Sequence, residues 1–148
     1  MQEVYRNIYK TARKAAGLTQ ERWAEQLGIS TESVRLYESG RGLPSDEIAA
    51  RMAEAAGMPI LGYWHLKEKS CMANDMLPDI PAVALPQAVV GLLVAIRDFR
   101  ENLEELLTIA ADGMVSEEES GLFEAILDEL EGIVSAAMAV KYASRERR

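Results

Sequence analysis

Chemistry has few places to reside in this 148-residue chain. It contains one cysteine, Cys71, and one histidine, His65, so there is no internal disulfide and no thiolate–imidazole cluster of zinc-site spacing. It carries no G-x-S-x-G turn, no phosphate-cradling glycine loop and no paired acids in an evident cleft, and we therefore expect no enzyme. Asp112 with Glu117, Glu118 and Glu119 lacks the ligand spacing of a calcium loop, and helix caps account for each of these residues, so no metal or cofactor is expected. What remains is hydrogen-bonding chemistry. Thr31, Glu32 and Arg35, with Leu36 beside them, fall on one side of a short helical pattern and could address a polar surface.

The elements that hold this face are legible from caps and stops. From Val4 to Ala16 the residues Tyr5, Ile8, Tyr9, Ala12 and Ala16 recur at three- and four-residue intervals, one face of an amphipathic helix that Gly17 ends. Thr19 caps a second helix, with Glu21 in its first turn and Trp23, Ala24 and Leu27 inward, and Gly28 supplies the left-handed stop. Ser30 caps a third helix from about Thr31 to Ser39, closed by Gly40. Val34 and Tyr37 face inward there, which turns Thr31, Glu32, Arg35 and Leu36 out. A fourth helix follows Pro44, capped by Ser45, with Ile48, Met52 and Ala55 as its inner stripe and Gly57 and Pro59 at its end. Ile60, Leu61, Trp64 and Cys71 suggest a short fifth helix. Two short helices joined by a tight glycine turn form a helix-turn-helix.

The second half has a different grammar. Residues 70–86 carry Pro78, Pro81 and Pro86 without sustained periodicity and are expected to link a first domain, 1–69, to a second, 87–148. Val89, Leu92, Ile96, Phe99, Leu103, Leu106 and Ala110 follow a three-four alternation, which Phe123, Ile126, Leu130, Ile133, Ala137 and Val140 repeat. These predict two helices of roughly 25 residues, about 38 Å long, in an antiparallel hairpin. Gly113 would stop the first, and Ser116 with Glu119 would form a capping box for the second. Leu93, Leu107, Leu127 and Val134 widen each apolar stripe beyond what one partner helix covers, and the simplest closure is a homodimer in which two hairpins make a four-helix bundle. Val89, Leu92, Ile96, Phe99, Leu103, Leu106, Phe123, Ile126, Leu130 and Ile133 are the expected seam.

The net charge of −8 is unevenly distributed. Residues 1–68 hold nine basic and nine acidic side chains, and residues 69–148 hold seven and fifteen. The acidity belongs to the hairpin, and any nucleic-acid binding by the first half must rest on the placement of a few cations. His65 is read as a surface or packed histidine, Cys71 as a small buried apolar residue, and Trp23, Tyr37 and Trp64 as core aromatics. The N-terminus has no apolar stretch of signal-peptide type, and the apolar run Ile80–Ile96 is broken by Pro81, Pro86 and Gln87. A cytoplasmic protein without a membrane span is expected.

Arg13, AGLTQ at Ala16–Gln20, Ala24, LGIS at Leu27–Ser30, Val34, YESG at Tyr37–Gly40 and Pro44 resemble the Cro/phage-repressor, or XRE-type, helix-turn-helix family over about residues 5–60. The resemblance implies an all-α chain: a five-helix lambda-repressor-like domain, followed here by the helical hairpin, which lies outside it. It implies binding of double-stranded DNA, with the third helix in the major groove and Thr31, Glu32, Arg35 and Leu36 toward base edges. Arg35 would bond guanine O6/N7, Glu32 would accept from cytosine N4, and Leu36 would touch a thymine methyl. Gln20, Ser30 and Arg41 would contact phosphates. Arg13 and Glu38 would form an internal ion pair. Trp23 stands where the family more often has leucine, and Leu36 where many members present a polar reader. The expected function is a sequence-specific transcriptional regulator, by default a repressor, binding an inverted repeat as a dimer. The rival is a protein-interaction module, such as an antitoxin or antirepressor, that works through the acidic hairpin.

Overall fold

Backbone N–H groups left over at helix starts set the boundaries in the first half. The computed structural model describes residues 7–144, and the chain divides into two compact units, Met1–Leu77 and Pro78–Arg148. The expected inward Tyr5 and the basic run Arg145–Arg148 lie outside the described residues. The first unit contains α1 (Ile8–Ala15), α2 (Gln20–Leu27), α3 (Thr31–Glu38), α4 (Asp46–Ala56), α5 (Ile60–Lys69) and α6 (Cys71–Met76). Asn7, Thr19, Ser30 and Ser45 each accept a hydrogen bond from the N–H three residues on, satisfying a donor that the helix itself cannot. Gly28 lies at φ 66°, and its N–H and that of Ile29 close onto the carbonyls of Glu25 and Ala24. A side chain with a Cβ would be strained there, which is why the turn between α2 and α3 needs glycine.

Tyr9, Ala12, Trp23, Ala24, Leu27, Val34, Met52 and Leu61 form one buried cluster, with Tyr37 and Trp64 packed partly buried against it. The Trp23 indole N–H is buried without a hydrogen-bond partner, and such an orphan donor costs about 1–3 kcal/mol. Trp23→Phe should therefore destabilise by less than about 2 kcal/mol, against the roughly 3–5 kcal/mol typical of Trp→Ala. Urea unfolding followed by the fluorescence of the remaining tryptophan, Trp64, measures the difference. A Phe variant as unstable as Trp23→Ala would contradict this account.

The reading of Cys71 changes. Cys71 is exposed and belongs to no continuous fifth helix. Ser70 adopts extended backbone (φ −127°, ψ 118°) and accepts from the Ala73 N–H, so the chain stops α5 and starts α6 at that point. His65 is buried, 2% exposed. Its Nδ1 lies 2.9 Å from the Tyr9 hydroxyl and its Nε2 3.0 Å from Asp46 Oδ1, which ties α5 to α1 and to the first turn of α4. Residues 70–86, expected as a linker, hold α6 and an extended run in which Ile80 is buried and the Asp79 carbonyl accepts from Ser135 Oγ.

The second unit contains α7 (Leu85–Arg100), α8 (Leu103–Ala110) and α9 (Ser120–Tyr142), and α7 packs along α9. The first arm of the hairpin, expected as one helix, breaks at Glu101–Asn102. The N–H groups of these two residues bond three residues back rather than four, and Asn102 sits at φ −106°, ψ 7°. Its Nδ2 donates to both carboxylate oxygens of Glu129 on α9, at 2.9 and 3.0 Å. The break thus coincides with a side-chain bond to the neighbouring helix. Ser116 and Glu119 make reciprocal capping bonds one turn before α9. Among the described residues, no helix is long and apolar enough to cross a membrane.

The break also splits the heptad pattern. Leu92, Phe99 and Leu106 are partly buried within the hairpin, and Ile126 is fully buried. Val89, Ile96 and Leu103, spaced seven apart, are about 40% exposed, and Val90, Leu93 and Leu107 exceed 60%. Past the break it is Ile109, not Ala110, that is buried, and on α9 Ala139 takes the inward place expected of Ala137.

Candidate nucleic-acid interface

Placement of α3 begins with an ion pair. The Arg13 guanidinium on α1 donates from Nε and Nη2 to the two carboxylate oxygens of Glu38 at 2.6 and 3.0 Å, and from Nη1 to the Leu18 carbonyl at 2.9 Å. The side chains are 13% and 5% exposed, so the fork is shielded from water, where charge-assisted bidentate pairs are strongest. Burial pushes the Glu38 carboxyl up, but the hydrogen bonds from Arg13 and Gln20 and the guanidinium charge outweigh it and hold the group below the usual carboxylate value. The Glu38 bond raises the Arg13 value against desolvation. Asn7 Nδ2 also donates to the Tyr37 carbonyl at 2.8 Å. The C-terminal end of α3 is thereby fastened to α1.

The outward face of α3 carries the expected readers. Glu32 and Arg35 have side chains 86% and 56% exposed, and Thr31 is half-buried at the helix start. Leu36 is 44% exposed and leans on the following loop: a Cβ at Gly42 would stand 2.9 Å from Leu36 Cγ. Glycine there is what lets the loop approach, and the loop covers part of the leucine surface. Arg41 is exposed in that loop.

Two of the expected phosphate ligands have internal partners. Gln20 Nε2 donates to Glu38 Oε2 at 2.9 Å, so this amide joins the Arg13–Glu38 pair. Ser30 Oγ caps α3 by accepting from the Ser33 N–H at 3.0 Å and lies 2.9 Å from Ser33 Oγ. The Ser30 cap is the one its sequence position announces, whereas the Gln20 contact is not visible from spacing along one helix, because it depends on how the helices meet. Glu21, outside the expected site residues, also reaches this face. Arg35 Nη2 approaches Glu21 Oε1 on α2 at 3.7 Å, and its Nη1 approaches Glu32 Oε2 at 3.8 Å. The only advance signal was opposite charge on the outward sides of consecutive helices.

A two-helix unit pinned at one end, with polar side chains and one guanidinium displayed on the second helix, is the architecture of a helix-turn-helix, and the chain belongs to the helix-turn-helix family. The family profile matches residues 10–62 and ends inside α5. The chain is 41% identical over 59 residues to the cryptic phage CTXphi transcriptional repressor RstR of Vibrio cholerae, a match covering 38% of this chain and 53% of that one. It is 40% identical over 52 residues to an uncharacterized HTH-type transcriptional regulator of Methanothermobacter thermautotrophicus, covering 35% of this chain and 75% of that one. The chain thus spans about half the length of the phage repressor. No solved structure matches it significantly.

Proposed function

We propose that the protein is a double-stranded-DNA-binding transcriptional regulator that acts as a homodimer in the cytoplasm, represses by occupying an inverted-repeat operator, and does no catalysis. The observation that carries this reading is the outward α3 face, with Glu32, Arg35 and Leu36 exposed and Thr31 half-buried at its start, on a helix anchored by Arg13 and Glu38. Arg35 and Leu36 are the base readers with the strongest physical case, a forked donor for guanine and an apolar surface for a thymine methyl. Arg41, beyond the helix end, suits a phosphate. Ser30 and Gln20 would add phosphate contacts through the donors their internal bonds leave over.

The first unit has no net charge to spare, so its electrostatic attraction to a duplex is weak. Two copies would offset that by raising the effective concentration at the second half-site. For the pairing surface we propose the exposed stripe of the second unit, Val89, Ile96 and Leu103 with Val90, Leu93 and Leu107. These apolar side chains are left uncovered by the hairpin's own packing. The partly buried members of the heptad pattern then hold the hairpin together.

Selection of bound duplexes from a random pool tests the reading directly. The expected product is an inverted repeat with half-site centres about one helical turn, roughly 34 Å, apart, and with affinity that falls linearly in log salt. On that duplex Arg35→Ala should cost about 1–3 kcal/mol and relax preference at one base pair per half-site, whereas Arg41→Ala should weaken all sequences alike. A pool that yields no salt-sensitive, competitor-resistant binding would move the function to protein partners of the acidic hairpin.

A further inference from the structure

We propose that Glu21 is a specificity-determining residue, acting as a positioning group for Arg35; this rests on the DNA-binding reading above. The guanidinium of Arg35 stands between two carboxylates that reach different terminal nitrogens, Glu21 at Nη2 from the first turn of α2 and Glu32 at Nη1 from one turn back on α3. At 3.7 and 3.8 Å neither contact is a hydrogen bond. The two acids set the orientation of the fork while its N–H donors stay available to a base.

Glu21 occupies the helix end at which the backbone N–H groups of α2 would meet a phosphate, and a carboxylate there repels any duplex. Arg35 offsets that repulsion. When guanine presents O6 and N7, the guanidinium can bond the base with its outer edge and keep its charge beside Glu21. When the base pair is wrong, it finds no acceptor pair, falls back between its two acids, and the duplex is held against an acidic surface. Glu21 therefore weakens binding to all DNA and weakens it least where Arg35 is correctly engaged. The inference differs from a general acidic repulsion in one respect: it requires Arg35.

Glu21→Gln keeps the shape of an exposed side chain and removes its charge. Affinities should be measured at one salt concentration for the selected operator and for an unrelated duplex of equal length. For the variant, binding to the unrelated duplex should rise about two- to fivefold, the range of an exposed ion pair, with a smaller rise for the operator, so that the ratio of the two affinities shrinks. In an Arg35→Ala background the same substitution should raise both affinities by one factor and leave the ratio unchanged. Equal gains on both duplexes with Arg35 present, or the same loss of discrimination without Arg35, would overturn the proposal while leaving DNA binding intact. A wild-type protein that prefers no duplex overturns the reading beneath it, and is seen before any variant is compared.

Discussion

Val90→Glu combined with Leu93→Lys is expected to convert the protein to monomers and to weaken operator binding by about 10²- to 10⁴-fold, the usual gain from linking two binding events. The two positions are three residues apart on α7 and share a face. They are 61% and 62% exposed within the protomer, so the variant removes little packing inside the hairpin. One acid and one base leave the net charge unchanged, which separates lost assembly from altered repulsion of DNA. Sedimentation should give the protomer mass, and affinity for a single half-site should match that of the wild type. A dimer mass that survives would sink the proposed pairing surface, and a monomer that still binds the full operator tightly would sink the need for pairing.

Glu38→Gln is expected to destabilise the first unit by about 3 kcal/mol near neutral pH, because removing one partner of a shielded pair leaves the other charge uncompensated. Both tryptophans, Trp23 and Trp64, lie in this unit, so tryptophan fluorescence during urea unfolding follows it alone. The pH dependence has a definite sign. Glu38 titrates below its ordinary value in the fold, so its contribution is fully present above the unfolded value of about 4.3 and is lost as pH falls through the lower folded value. The gap between wild type and variant should therefore close in acid. Some acid sensitivity should persist in the variant, since Asp46 is also held low, by hydrogen bonds from Lys69 and then from His65. A gap that stays constant from pH 7 to pH 3 would show that the charge of Glu38 is not what the fold uses.

Much of the first unit was legible because its boundaries are written in local chemistry. Thr19, Ser30 and Ser45 as caps and Gly28 and Gly57 as left-handed stops need only neighbours within one turn, and they act where expected. Where the determinant was long-range, local reading ran out. Nothing near Asn102 announces that a carboxylate 27 residues away will hold its amide where an otherwise regular heptad is interrupted. Ser70 caps α6 as Ser30 caps α3, but no glycine or proline beside it marks the break between α5 and α6. The burial of His65 between Tyr9 and Asp46 was not legible in the same way, because it depends on three helices meeting. For the candidate interface, outward direction could be inferred from Val34 and Tyr37 being inward. The lean of Leu36 onto Gly42 and the approach of Glu21 to Arg35 could not, because both lie across turns whose geometry no periodicity encodes.

The bond from Gln20 to Glu38 bears on the timing of an entropy loss. An amide nitrogen carries two hydrogens, and Gln20 directs one of them inward to a carboxylate that Arg13 already immobilises. A phosphate taking the other hydrogen would meet a side chain whose rotamer has been chosen before the duplex arrives. Freezing a free glutamine on a ligand costs about 0.5–1.5 kcal/mol. Here that ordering belongs to folding instead, so the proposed phosphate contact would be preorganised in a domain that has no net positive charge to attract a duplex.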